Sequence, residues 1–287
     1  MKYFLLSFSL LATITLSAQI PISQKFTLPA RPQIHDTISP LQVVQQYVST
    51  EGFPDKIEYF CCELYKEWYA DSTLGQHLPK RVQRTSQLIF QDTGHATVAV
   101  WLHDTTTSLD IYFYLVKKRV WTIYAARSLV MKQSAEDELK RLDSIPEKNR
   151  GDAYAKAHGH TYTFDYTNLQ LWDNSDTVLI QHFMQHQKDF AAMQKRIQQK
   201  GFTKNDSLVV KAIYDKKIRK LADKTLIRNF EYDKHYPGCV FYMIGGMVDN
   251  TVGYMYQPDP KKLPLITEKH YILIRKISDG WYLFKTT

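Results

Sequence analysis

The residues best suited to chemistry lie close together between Trp101 and Tyr114. In Ala96–His103 the side chains alternate, with Val98, Val100 and Leu102 on one side of a strand and Trp101 and His103 on the other. On the next strand Ile111, Phe113 and Leu115 alternate with Tyr112, Tyr114 and Val116, and Asp104 and Asp110 stand at the strand ends. If the valines face the core, Trp101, His103, Tyr112 and Tyr114 make one aromatic ligand-binding wall. That wall offers an imidazole or carboxylate to take a proton and a phenol to donate a hydrogen bond. Either face could line a cavity, so ordinary aromatic packing competes for the same residues.

Other signals are sparse. No HExxH, CxxC pair, GxSxG, GxxxxGK[ST] or GxGxxG occurs, so no cofactor is expected. His182 and His186 stand four apart on an expected helix, a metal-chelating spacing, and His158 and His160 add two more imidazoles. Nothing in the sequence fixes a third ligand, and His186 borders an apolar stripe, so these remain weak metal candidates. Cys61 and Cys62 are neighbours that would bond each other only with strain. One of them could pair with Cys239, and three small buried hydrophobes is the plain reading.

These residues need elements to position them. Ser39 followed by Pro40 starts a helix whose Leu41, Val44, Tyr47 and Val48 share a face, and a second helix is expected over 55–70. From Gln83 to Arg127 the period changes to two and describes about four antiparallel strands. A charged helix opens near Ser134, and 144–160 is polar without apolar period. The order then repeats. A helix runs from Ser175 or Asp176 to Lys200, another from Asn205 or Asp206 to about Arg228, and strands follow at 239–247, 251–256, 269–277 and 281–285. Each half ends in an aromatic hairpin, Asp110–Ala126 and His270–Thr286, at what reads as the same place. The expected fold is α+β in two domains, each with N-terminal helices packed on a bent antiparallel sheet of about four strands. The boundaries are a signal peptide at 1–18, an extended lead-in at 19–37, a first domain at 38–131, a charged helix and linker at 132–160, and a second domain at 161–287.

Totals narrow the function. Met1-Lys2 followed by the apolar Tyr3–Leu16 and a small Ala18 is the pattern of a secretory signal peptide, too short to span a membrane. The chain is therefore expected to be exported, periplasmic or secreted, without stable membrane insertion. Its net charge of +8 is concentrated on helices where basic residues alternate with Asp, as on a solvated face, so nucleic acid is not an expected partner. The 19 Tyr, 14 Phe and 5 Trp suit aromatic-rich sheets, an apolar pocket or a carbohydrate platform.

Helices followed by a bent sheet that ends in a Trp hairpin, Val120-Trp121-Thr122-Ile123 and Gly280-Trp281-Tyr282-Leu283, resemble the nuclear-transport-factor-like superfamily of cystatin-like α+β cones. The resemblance covers roughly residues 38–130 and, more loosely, 176–287. Isomerases and cyclases of that superfamily use a cavity with an acidic or His base and a hydroxyl donor. Carried to this chain, the resemblance implies His103 or Asp110 as base and Tyr112 or Tyr114 as donor. Binding modules and structural adaptors share the fold, so the fold alone leaves function open. The expected function is an exported, non-catalytic binding or interaction module with an aromatic-lined pocket or sheet face, taking a small apolar or sugar-like ligand or another protein. A small-molecule isomerase or cyclase is one alternative, and a structural factor that forms a homodimer through its sheets is another.

Overall fold

The protein is seen as a computed structural model that describes residues 38–54, 56–68, 72–105, 108–129, 132–201, 211–247 and 250–287. The expected signal peptide, the lead-in and the helix cap at Asn205 or Asp206 lie outside these residues. The fold is α+β, with one four-stranded and one five-stranded antiparallel sheet.

The N-terminal helix α1 (Pro40–Tyr47) begins where the cap chemistry requires. The Ser39 hydroxyl accepts from the Gln42 amide at 3.2 Å, and the Gln42 side chain accepts from the Ser39 amide at 2.9 Å. Its Val43, Val44 and Tyr47 are buried, with the Tyr47 ring edge-on to Phe60 and Phe113. The helix expected over 55–70 is instead two 3-10 segments, Lys56–Tyr59 and Cys62–Trp68. Tertiary pairing breaks it: Phe60 bridges to Ile123, the Cys61 amide donates to the Ile123 carbonyl at 3.0 Å, and Cys62 takes a φ of 62°. A short helix, α2 (Leu74–His77), follows.

The first sheet holds β1 (Gln83–Gln91), β2 (His95–His103), β3 (Ser108–Lys117) and β4 (Trp121–Arg127) in chain order. Asp92 tightens the first turn by accepting from the Gly94 and His95 amides, both at 2.7 Å. Val98 stands opposite Phe113, and Ala99 opposite Tyr112. Val98, Val100 and Leu102 are buried, as the alternation requires.

The charged helix is α3 (Lys132–Asp143), but the stretch read as linker continues into α4 (Asp152–His158) and α5 (Tyr162–Trp172). Thr161 caps α5 by accepting from the Phe164 amide at 3.1 Å, but no single stripe announces the helix, because it is apolar on several sides and buries Phe164, Asn168, Leu169, Leu171 and Trp172. Asn168 donates to the carbonyls of Leu226 and Ile244 at 2.8 and 2.7 Å, tying the helix to the second sheet. The long helix expected from Asp176 divides at His186 into α6 (Asp176–Gln185) and α7 (Gln187–Gln199). Asp215 caps α8 (Lys216–Lys224) by accepting from the Lys217 and Ile218 amides.

The second sheet runs β5 (Asn229–Glu231), β6 (Val240–Met247), β7 (Asn250–Tyr256), β9 (Trp281–Thr286), β8 (Tyr271–Ser278). The two Trp hairpins are thus not equivalent. In the first sheet the Trp strand β4 is an edge, whereas in the second β9 lies between β7 and β8.

The two-domain arrangement is not confirmed, and the described residues belong to one compact unit. Ala99, Tyr112, Tyr114 and Ala125 of the first sheet join the same core as Phe183, Phe190, Tyr242, Tyr254 and Trp281. Around Phe190 the rings of Phe183, Tyr254 and Trp281 lie 4.8, 5.0 and 5.6 Å away, centroid to centroid. Each such ring contributes about 1.5–3 kcal/mol by leaving water.

Candidate functional site

The face singled out in the first sheet turns toward the second half of the chain. Tyr112 and Tyr114 are 0% and 1% exposed. The Tyr114 hydroxyl donates to the Ile272 carbonyl on edge strand β8 at 2.7 Å. The Tyr112 hydroxyl donates to Asp176 Oδ1 at 2.9 Å. Lys285 of β9 bridges two carboxylates, Asp176 Oδ1 at 2.8 Å and Asp110 Oδ2 at 3.0 Å. Asp110 Oδ2 also accepts from the Asp176 amide at 2.9 Å, so a β3 side chain caps α6 where Ser175 makes no side-chain cap bond. Arg275 approaches Asp176 Oδ2 at 4.0 Å, donates to Gln87 at 2.8 Å and lies 4.9 Å over the half-buried Trp101 ring.

The electrostatics follow from this enclosure. Burial lifts the Asp110 carboxyl above its ordinary value; Lys285 opposes the rise and Asp176 adds to it. Burial alone would lower Lys285, but the two carboxylates outweigh it and raise its pKa. Burial, with the two carboxylates beside it, drives Tyr112 far upward, leaving a protonated phenol whose hydrogen bond is already given away. Asp110 and Lys285 border a cavity of about 50 Å³ with Trp172, Asn174 and Ser175, room for a water molecule or two. His103 is exposed at the end of β2, opposite Ser108. The structure therefore brings Asp110 and Tyr112 together through Asp176, holds Tyr114 in the core one step along β3, and leaves His103 outside. Rather than facing solvent, the tyrosines pack between the halves.

The histidine pair on α6 is engaged locally. His182 Nε2 lies 3.0 Å from the Thr225 carbonyl, burial lowers its pKa, and the His186 ring sits 4.7 Å away beside Asp189. Among the described residues no group of three or more His, Cys, Asp or Glu side chains could hold a metal ion.

An aromatic-lined pocket does occur, on the far face of the second sheet. Its volume is about 410 Å³. Phe241 and Met243 of β6, Thr251 of β7, Tyr271 of β8, and Phe284 and Thr286 of β9 contribute from the strands. Glu231, Tyr232, Asp233 and Lys234 come from β5 and the loop after it, and His270 from the residue before β8. The Phe241 ring stands 5.3 Å from Phe284 and 6.0 Å from Tyr271, so the wall is rigid by ring packing. Glu231 stays solvent-reachable, yet partial burial raises its carboxyl pKa. Chemically the site combines an apolar wall, two threonines, an imidazole, an ammonium and two carboxylates.

Motif spacing and strand alternation do not point to this pocket, although the sequence carries a signal for it. The runs Val240–Ile244, Tyr271–Ile274 and Trp281–Phe284 are apolar at successive positions, so both faces of this sheet must be covered. The helices cover one face, while Tyr236, Leu263 and Ile266 cover only part of the other. No family model, curated protein or solved structure matches the chain.

Removing Lys285 should leave two buried carboxylates without their cation. Lys285→Met is expected to cost about 3–5 kcal/mol in urea unfolding; a cost below 1 kcal/mol would mean the cluster is solvated. Because the folded state binds the Asp110 proton more tightly than the unfolded state, ionising Asp110 removes stability as pH rises through the carboxylate range. The stability difference between Asp110→Asn and wild type should therefore move in favour of the variant between acid and neutral pH. The opposite slope would show that Lys285 dominates Asp110.

Proposed function

We propose that the protein is an exported binding module, and that its ligand seats in the aromatic pocket of the second sheet. The observation that carries this reading is the pocket's makeup, about 410 Å³ bounded by Phe241, Tyr271 and Phe284 with charged groups around them. That volume lies in the ordinary range for small-ligand sites. Aromatic wall beside hydroxyl and carboxylate groups suits a sugar-like ligand, whose ring has an apolar face and a hydroxyl edge. Binding rather than catalysis is favoured because, of the four groups proposed for proton transfer, Asp110 and Tyr112 are occupied with Lys285 and Asp176, Tyr114 donates to the Ile272 carbonyl in the core, and His103 stands apart from them at the end of β2. Export rests on the apolar segment of residues 3–16 behind Met1-Lys2.

Titration calorimetry against a panel of mono- and oligosaccharides and small aromatic alcohols tests the reading. At least one class should bind, with Tyr271→Leu weakening it about tenfold, ~1.4 kcal/mol, and Glu231→Gln shifting its pH dependence. No binding across the panel, or binding indifferent to Tyr271, would count against this pocket. If the protein is exported, N-terminal sequencing of the secreted form should begin at Gln19; retention of Met1 in the extracellular protein would contradict the signal-peptide reading.

A further inference from the structure

Far from that pocket in the chain, the break between the two 3-10 segments holds the adjacent cysteines. Their sulfurs lie 2.7 Å apart. Cys62 is exposed and Cys61 half-buried. The Cys61 backbone is pinned, its amide donating to the Ile123 carbonyl at 3.0 Å and its carbonyl accepting from Leu64 at 3.1 Å. Cys62 occupies φ 62°, a left-handed conformation that residues with a Cβ rarely adopt. Strain of this kind at a non-glycine residue is typical of functional positions. The Lys118 side chain approaches the Cys61 thiol, where its charge favours the thiolate against the stronger effect of burial.

We propose that Cys61 and Cys62 form a redox site that exchanges with small disulfides and closes reversibly into a vicinal disulfide. Cys62, the exposed sulfur, attacks one sulfur of a disulfide RSSR, expelling RS⁻ and forming a Cys62–S–S–R mixed disulfide. The Cys61 thiolate then attacks Cys62 Sγ and expels the second RS⁻. The two cysteines lose two protons and two electrons in all, and RSSR takes them up to become two RSH. Proximity makes the second step fast, because Cys61 already touches the sulfur it must attack. Adjacent Cα atoms stand about 3.8 Å apart, below the ~4.4–6.8 Å span of ordinary disulfides. The closed ring is therefore strained and easily reduced, as regulatory or catalytic disulfides are. Cys239 lies outside this chemistry. It is buried, accepts from Gln257 Nε2 at 3.3 Å, and its thiol is pushed up to about 11 by burial.

The test uses the full chain, oxidised glutathione as the probe, and mass spectrometry of the tryptic peptide 57–66, which carries both cysteines. The wild-type peptide should lose two hydrogens and regain them with reduced glutathione. Cys61→Ser should stop at a stable glutathione adduct on Cys62, and Cys62→Ser should show neither product. Cys239→Ser should behave as wild type. A glutathione adduct that persists on wild-type Cys62, an unreacted pair, or a bridge to Cys239 would each overturn the proposal. The wild-type arm reads out without any variant, so a substitution that impairs folding leaves the test intact.

Discussion

One ammonium group, Lys285, sets the terms on which the two halves of this protein meet. It is almost fully enclosed and holds Asp110 from β3 and Asp176 from α6, two residues distant from it in the chain. Apolar surfaces can slide over one another at little cost, whereas a buried charge cluster tolerates few arrangements. Asp110 performs two tasks at once, neutralising Lys285 and capping the first turn of α6. The position of the helix, the facing of the first sheet and the seat of β9 are consequently bound to one another. Tyr112 adds a fourth attachment through Asp176, and Tyr114 a fifth through the β8 edge.

Local rules made much of the fold legible. Ser39-Pro40 marked a helix start, and period-two alternation located β2, β3 and β4 to within about two residues. Those features depend on neighbours in sequence. The failures occur where distant partners decide. Residues 55–70 have a helical apolar pattern, but Ile123 recruits the backbone of Phe60 and Cys61 and breaks it. The stripe of α5 is blurred because it is covered on several sides, so periodicity had little to detect. The matching hairpins concealed different strand orders, since sequence records which strands follow one another and not which ones pair.

The same distinction governs the site. Alternation correctly grouped Trp101, Tyr112 and Tyr114 on one face and Val98, Val100 and Leu102 on the other. Whether that face met solvent or protein depended on a lysine some 175 residues away from Asp110, which no local pattern contains. The pocket on the second sheet was written more plainly. Strands apolar on both faces need two covers, and the described residues supply one continuous helical layer. Where the loop residues Leu263 and Ile266 stop, a cleft with aromatic walls remains.

The placement of β9 carries a consequence for how the chain folds as it emerges from the ribosome. β7 and β8 precede it yet do not pair with each other. Until residues 281–286 arrive, β7 lacks its second neighbour and β8 lacks a partner in the sheet, while Asp110 and Asp176 wait for their cation. Closure of the second sheet and neutralisation of the core charges thus occur together and late. A nascent chain halted within this stretch would expose unpaired strand edges and buried-type carboxylates at once, the kind of intermediate that chaperones retain.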